Sequence, residues 1–503
     1  MKHILNTVFL SVLLLLSSCE RYLEVNPDST LDVEINSEEK IAELLTAAYP
    51  EASYSAFLEA RTDNVEERVN GVHSRLNEAM YFWEDYDQED LDTPLNYWNS
   101  CYKGIAQANK ALELLASYPK TDRVKALYGE AFLIRAYLHF MLVNIWSAPY
   151  GTEKSKNSLG IPYLEKSEKN ALVDYKRGTV AEVYEKIERD LKLGISLVSD
   201  DYYQNPKFHF NKKAAYAFAS RFYLIKGEWD LVIEYSNFVL GADAKQVIRN
   251  WNEYMQQMSS DRTSLYTLYT SSSEPANLLL STTESRIKRN ISNEKYGSTT
   301  HSVTNIFAKK GIDGCSEAKT LNLDQVYTFA YTGAPVSNGR YLAKFDELSL
   351  FGNTGIRPRG LYVTNVLFSV DEVLLNRMEA YTMKKNYSQA VDDLLDYMKG
   401  KFDIDLPCSR EMYLTTSTEH YATYTPFYGL TVKQLAMVKT ITELRQKEFF
   451  HEGLRWFDIR RFYLPVTRNS KNSLYRPLTK EDPRKLLQIP AEAINRGLEP
   501  NPR

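Results

Sequence analysis

Residues 213–240 read KAAYAFASRFYLIKGEWDLVIEYSNFVL, and the fold turns on them. Ala217 and Ala219 place small side chains on the first half, where a partner helix must approach closely. Gly227-Glu228-Trp229-Asp230 interrupts the run, and a second helical run follows to Leu240. This is the pattern of a helical hairpin of the tetratricopeptide kind. A second copy runs from Asp371 to Met398, with Ala380 as its small residue and Lys385-Asn386-Tyr387 as its turn. Such a pair buries its apolar stripe only by stacking on neighbours. The spacing therefore predicts a mainly α chain built on a tetratricopeptide-like scaffold of helical pairs.

Other stretches extend that scaffold. Gly129 to Val143 is apolar almost all round, which predicts a central, buried helix ended by Ala148-Pro149-Tyr150-Gly151 and capped at its start by Asp122. Leu95 to Ser117 carries Trp98, Tyr102, Ile105, Ala108, Leu112 and Leu115 at helical spacing, and Thr179 to Val198 gives another helix. After Ser37, residues Ile41, Leu44, Leu45 and Ala48 share one face. Residues 51–94 read as irregular. Within 241–366 helical periodicity is lost, and 19 of the 46 residues in 259–304 are Ser or Thr. The aromatics there argue for ordered loops and short strands. Long ordered loops on a rigid scaffold are where binding is usually found.

The N-terminus reads as an address. Lys2 precedes a short apolar stretch, Val8 to Leu16, followed by Leu16-Ser17-Ser18-Cys19. This is a secretory signal with a bacterial lipobox, so Cys19 is the expected lipidation site. No later segment reads as long and apolar enough to span a membrane. The expected organisation is residues 1–18 as lipoprotein signal peptide, 19–36 as lipidated tether and 37–503 as one body. Within that body, 37–240 and 367–503 are helical scaffold and 241–366 is loop-rich.

Composition narrows the function classes. The 503 residues carry 61 Lys and Arg against 65 Asp and Glu, a net charge of −4, which argues against a general nucleic-acid binder. With Cys19 lipidated, Cys101, Cys315 and Cys408 leave room for at most one disulfide and for no cysteine zinc site. His451-Glu452 begins like a zinc-protease motif, but position 455 is Arg, so the second ligand is missing. No DxDxDG motif marks a calcium loop, so the sequence names no metal ligand and leaves calcium in the loops open, and no cofactor is expected. Glu448, Glu452, Arg455, Asp458 and Arg461 fall at helical spacing, and carboxylates beside arginines are held ionised. They read as a buried ion-pair network, not as the acid and base of a glycosidase. His139 reads as a satisfied core histidine, and no enzyme motif anchors a catalytic reading.

Several segments together resemble the SusD/RagB family of outer-membrane nutrient-binding lipoproteins. These are the lipobox with its Asn26-Pro27 tether, Gly129 to Gly151, Asn211 to Glu234, Glu372 to Tyr381, Arg445 to Arg461, and the tail Leu487-Gln488-Ile489-Pro490 to Asn501-Pro502. Departures are Leu444, where the family usually has Glu, His451, where Phe is common, and an apparent insertion at 403–430 with Tyr413, Tyr421, Tyr424 and Tyr428. The resemblance implies a SusD-like fold and a lipid-anchored protein on the outside of the outer membrane. It implies capture of oligosaccharides, or peptides in some branches, for a SusC-like TonB-dependent transporter, without chemistry. A purely structural transporter lid is a further alternative.

Sugar rings present an apolar C–H face to aromatic side chains and hydroxyls to polar ones. The expected ligand-binding residues are therefore aromatics outside clean helical stripes, with polar neighbours: Tyr81 and Trp83 with Arg61, Asp63 and Asn64, then Trp251, Tyr254 and Tyr296. Trp98, Trp229, Trp146 and Trp456 are assigned to the core.

Overall fold

A computed structural model describes residues 35–167, 175–251, 253–254, 264–307, 328–329, 339–351, 358–402, 424–468 and 477–503. The lipobox with Cys19, the tether up to residue 34, Cys315, Cys408, Tyr413 and Tyr421 lie outside the described residues. Two compact units are distinguished, Met1–Glu43 and Leu44–Arg503, and apart from one helix that begins in the first, the second holds everything below.

Its helices of seven or more residues are α2 (Ser55–Arg61), α3 (Arg75–Tyr81), α4 (Pro94–Leu115), α5 (Asp122–Trp146), α6 (Val180–Leu197), α7 (Lys212–Lys226) and α8 (Trp229–Leu240). After these come α9 (Thr300–Phe307), α10 (Val370–Met383), α11 (Tyr387–Phe402), α12 (Val432–Glu448) and α13 (Arg455–Arg461). The label α1 belongs to Glu38–Thr46, in which Ile41 and Leu45 are buried and Leu44 is half-buried. The chain is mainly α, as the periodicity predicts.

Both hairpins form where the sequence places them, as α7–α8 and α10–α11, and they stack through α8 on α10 and α10 on α12. Gly227 turns the first at φ 77°, a left-handed conformation that costs glycine nothing. The central helix is α5, whose residues are all buried from Leu133 to Trp146. By length and composition it could cross a membrane, contrary to the hydropathy reading, yet it is a core helix packed between α4 and α6. Its crossing with α6 is close: a Cβ on Gly129 would lie 2.4 Å from the Val198 nitrogen. The N-cap of α5 is Thr121, not Asp122; the Thr121 hydroxyl accepts from Val124 N at 3.2 Å.

The two buried charges inside α5, Arg135 and Glu130, are both partnered. Arg135 Nε donates to Asp190 Oδ2 at 2.6 Å, and Glu130 accepts from Tyr49 and Tyr203 hydroxyls at 2.8 and 3.0 Å. His139 is a core histidine as expected. Leu164 N donates to its Nε2 at 3.0 Å, and burial pushes the ring's pKa down to about 3. Trp98, Trp146 and Trp456 are buried, whereas Trp229 is only half-buried, edge-on to Tyr428 at 5.0 Å.

The middle of the chain holds a three-stranded antiparallel sheet in the order β2 (Asn277–Glu284), β7 (Pro358–Ser369), β6 (Leu348–Phe351). Short pairs join β1 (Glu66–Glu67) to β3 (Tyr296–Gly297) and β4 (Thr328–Phe329) to β5 (Tyr341–Leu342). Helix α9 also lies here, so helical structure is not confined to the scaffold. Residues 51–94 are likewise less irregular than they read. They contain α2 and α3, each seven residues long and too short for a period to show.

Candidate functional site

The site begins at the end of α2. The chain leaves Arg61, passes Thr62 to Val65, and pairs β1 with β3 in the register Glu66 with Gly297 and Glu67 with Tyr296. Two buried arginines hold this corner through backbone carbonyls. Arg68 donates to the carbonyls of Ser292, Glu294, Ile291 and Ser298. Arg468 donates to the carbonyls of Ala60, Thr62, Val65 and Tyr81. Burial lowers the pKa of each to about 10, so both stay charged and every bond they make is charge-assisted.

An aromatic cluster sits beside them. Tyr81 and Tyr296 stack at 4.6 Å, with Phe82 edge-on to both at 5.0 and 5.4 Å. Arg468 lies 4.2 Å over the Tyr81 ring and 4.8 Å over Trp83. Burial raises the Tyr81 pKa to about 12, Arg468 opposing the rise. Trp83 adopts φ 57°, and its Nε1 donates to Arg61 O at 3.0 Å.

In front of this cluster opens a cleft of about 220 Å³. Val65, Tyr81 and Arg468 form its buried floor, and Asp63, Glu66, Glu67, His301 and Thr467 its walls. Each wall carboxylate is oriented by a partner. Arg455 donates to both oxygens of Asp63, at 2.9 and 2.8 Å. Thr299 Oγ donates to Glu66 Oε2 at 2.5 Å, and His301 Nδ1 lies 2.7 Å from Glu66 Oε1. Lys295 Nζ stands 3.1 Å from Glu67 Oε1. A carboxylate has about four acceptor sites. Partly exposed carboxylates fixed in this way can accept hydroxyl hydrogens from a polyol.

Six of the eight sequence-predicted residues come together at this corner: Arg61, Asp63, Asn64, Tyr81, Trp83 and Tyr296. The stacking role expected of them meets closed ring faces, however. Tyr81, Trp83 and Tyr296 are 1%, 2% and 3% exposed, and Arg61 and Asn64 are also buried. The partly open ring of the cluster is Phe82. Trp251 and Tyr254 lie elsewhere, also buried: Trp251 Nε1 donates to Glu448 Oε2 at 3.4 Å, and Arg249 Nη1 donates to the Tyr254 hydroxyl at 3.0 Å. The sequence reading missed Glu66, Glu67, His301, Thr467 and Arg468. His301 meets Glu66 across 235 residues, and no local pattern marks that pairing.

The acidic motif near the C-terminus is an ion-pair network, but not along one helix. Helix α12 ends at Glu448, and the chain turns through His451 and Gly453, at φ 72° and 74°, before α13. Glu448 pairs with Lys401 at 3.0 Å and Glu452 with Lys344 at 2.8 Å. Burial alone would push the Asp458 pKa up, but Arg445 and Arg461 outweigh it and hold the carboxyl below its usual range. Among the described residues no group of three or more His, Cys, Asp or Glu could hold a metal ion.

Residues 21–224 match the SusD-like family model described as starch-binding and associating with the outer membrane. A SusD-like protein of Formosa agariphila is 26% identical over 231 residues, which span 43% of this chain and 41% of that protein's length. Solved structures share the fold over nearly the whole chain. A SusD superfamily protein from Bacteroides thetaiotaomicron aligns at TM-score 0.66 and 18% identity, covering 93% of this chain and 100% of that one. A SusD-like carbohydrate binding protein from Bacteroides vulgatus aligns at TM-score 0.64 and 15% identity, covering 92% and 96%. In sequence over residues 21–224 and in fold over nearly its length, the chain is SusD-like.

Proposed function

We propose that this SusD-like chain is a non-catalytic, oligosaccharide-binding lipoprotein of the outer membrane. It captures glycan at the Asp63–Glu66–His301 cleft and delivers it to a SusC-like TonB-dependent transporter, with Cys19 carrying the lipid that holds it at the cell exterior. The observation that carries the reading is the cleft itself. Three oriented carboxylates and a histidine surround an open volume of about 220 Å³ beside an aromatic cluster, on a chain that matches a starch-binding family model.

The electrostatics favour holding over cleaving. A glycosidase needs one carboxyl kept protonated and within reach of the scissile oxygen. Asp63 is paired with Arg455 and Glu67 with Lys295, so both carboxyls are engaged in ion pairs. Glu59, which burial pushes up to about 7, is fully enclosed. The test is calorimetry against a panel of starch, other plant and algal oligosaccharides, and peptides. Heat with one glycan class, lost in a D63A/E66A double variant, supports the reading. Heat with peptides alone replaces glycan by peptide. Co-purification with a barrel but no ligand leaves only a structural lid, and sugar release from any substrate overturns the non-catalytic part.

A further inference from the structure

Glu59 lies on α2, at 0% exposure, three residues before the cleft loop begins. Its Oε1 accepts from Asn64 Nδ2 at 2.9 Å and from His451 N at 3.0 Å, and its Oε2 accepts from Gly453 N at 3.2 Å. Asn64 in turn accepts at Oδ1 from Gln446 Nε2 at 2.8 Å. One buried carboxylate therefore bonds the residue beside Asp63 to the left-handed turn that leads into Arg455. Asp63 and Arg455 are themselves paired, so both ends of the bridge converge on the cleft wall.

We propose that Glu59 is a positioning residue for the cleft: its carboxylate ties the loop bearing Asp63 to the 451–453 turn, and glycan capture depends on that tie although Glu59 touches no ligand. The inference rests on the cleft being the capture site. All three donors facing Glu59 are N–H groups, so the tie is complete only when the carboxylate is ionised. Burial drives its pKa up to about 7, against the pull of Asn64, the two backbone N–H groups and Lys344. Protonation at Oε2, the oxygen with one partner, sets an O–H against the Gly453 N–H and opens the tie. The charged groups nearby are accounted for. Lys344 is paired with Glu452, Arg455 with Asp63, and the enclosed His451 ring is pushed far below its ordinary value by burial, with Lys344 and Arg68 adding to it.

The experiment compares the full chain with E59Q by amide hydrogen exchange at pH 6 and pH 8, without ligand, and by calorimetry with maltoheptaose at the same two values. The E59Q side chain would present an amide N–H to Gly453 at every pH, so it reproduces the open tie. The wild type is expected to exchange its 62–68 amides about tenfold faster at pH 6 than at pH 8, after correction for intrinsic rates, the worth of one charge-assisted hydrogen bond. E59Q is expected to stay fast at both, with α5 protection unchanged. Maltoheptaose affinity should fall about tenfold in E59Q at pH 8, with the pH dependence of the wild type reduced. Equal protection in the two proteins at pH 8 overturns the proposal. So does full affinity in E59Q. A wild type that binds no maltoheptaose counts against starch as the ligand, and the exchange comparison still decides the tie.

Discussion

Arg455 grips Asp63 with two parallel hydrogen bonds, Nε to Oδ1 at 2.9 Å and Nη2 to Oδ2 at 2.8 Å, across 392 residues of chain. The arginine is buried in the C-terminal acidic motif, and the aspartate stands half-buried in the wall of the cleft. A motif that reads as scaffold thus reaches the site through one side chain. A planar fork on a carboxylate fixes both distance and rotation.

R455K should therefore harm binding more than charge conservation suggests. Lysine keeps the charge but offers a single point contact. Asp63 then loses its orientation, and glycan affinity should fall at least tenfold, the equivalent of about 1.4 kcal/mol. R455A should also lower stability by about 2 kcal/mol, less than the roughly 3–5 of a wholly buried pair because the Asp63 side chain keeps a third of its surface in water. Urea unfolding and calorimetry on both variants check the two numbers.

Phe82 and Trp83 should behave oppositely. Trp83 is enclosed and bonded to Arg61 O, so W83A should cost about 3–5 kcal/mol and weaken binding only by loosening the corner. W83F keeps most of the packing, loses one hydrogen bond, and should bind within a few-fold of wild type. Phe82 is half open, so F82A should cost about 1 kcal/mol of stability yet weaken glycan binding if that ring meets sugar. Unfolding midpoints set beside affinities separate these cases. If W83F abolished binding while its midpoint held, Trp83 would be a ligand contact after all.

The contrast between these neighbours shows where sequence reading runs out. The hairpins, the central α5 and the core histidine were legible because each follows from a period or from composition within one segment. The corner near residue 80 was also legible as special: its aromatics fit no helical stripe, and the structure does gather Tyr81, Trp83, Arg61, Asp63 and Asn64 there. Which ring faces solvent was not legible. That depends on Arg468, which lies over both Tyr81 and Trp83, and on Tyr296, which stacks on Tyr81; both arrive from hundreds of residues away. Trp251 is likewise held by a distant partner, Glu448, while Tyr254 is bonded by Arg249, only five residues away, whose own burial in the core no local pattern marks.

Glu59 also gives a stability prediction whose sign is opposite to that of a paired carboxylate. Burial raises its folded pKa from 4.5 to about 7, so between those values the folded chain binds more protons than the unfolded one. Its contribution to stability is therefore largest at acid pH and declines as pH rises through that window. Relative to E59Q, which cannot titrate there, the wild type should lose about 2 to 3 kcal/mol between pH 5 and pH 8. Urea titrations of both proteins across that range measure the difference. A constant gap would mean that Glu59 titrates at its ordinary value.

Arg68 links the stability of the cleft to its other wall. Its guanidinium fills the turn between residue 291 and β3, donating to four carbonyls there. Gly297 and Gly339 leave it room: a Cβ on Gly297 would come within 2.7 Å of Arg68 Nη2. R68A would strand those carbonyls in a buried site, at about 1–3 kcal/mol for each one that water fails to reach. β3 would then lose its hold beside β1, and His301 would no longer be carried to Glu66. The expected result is faster amide exchange across 291–301, glycan affinity reduced at least tenfold, and unchanged protection in α5 and α6. R68K should recover only part of this, since three donors on a flexible stem cannot serve four carbonyls arranged around a planar fork. If R68A instead left exchange at 291–301 as in wild type, the arginine would be filling space and the wall of the cleft would be held by β1–β3 pairing alone.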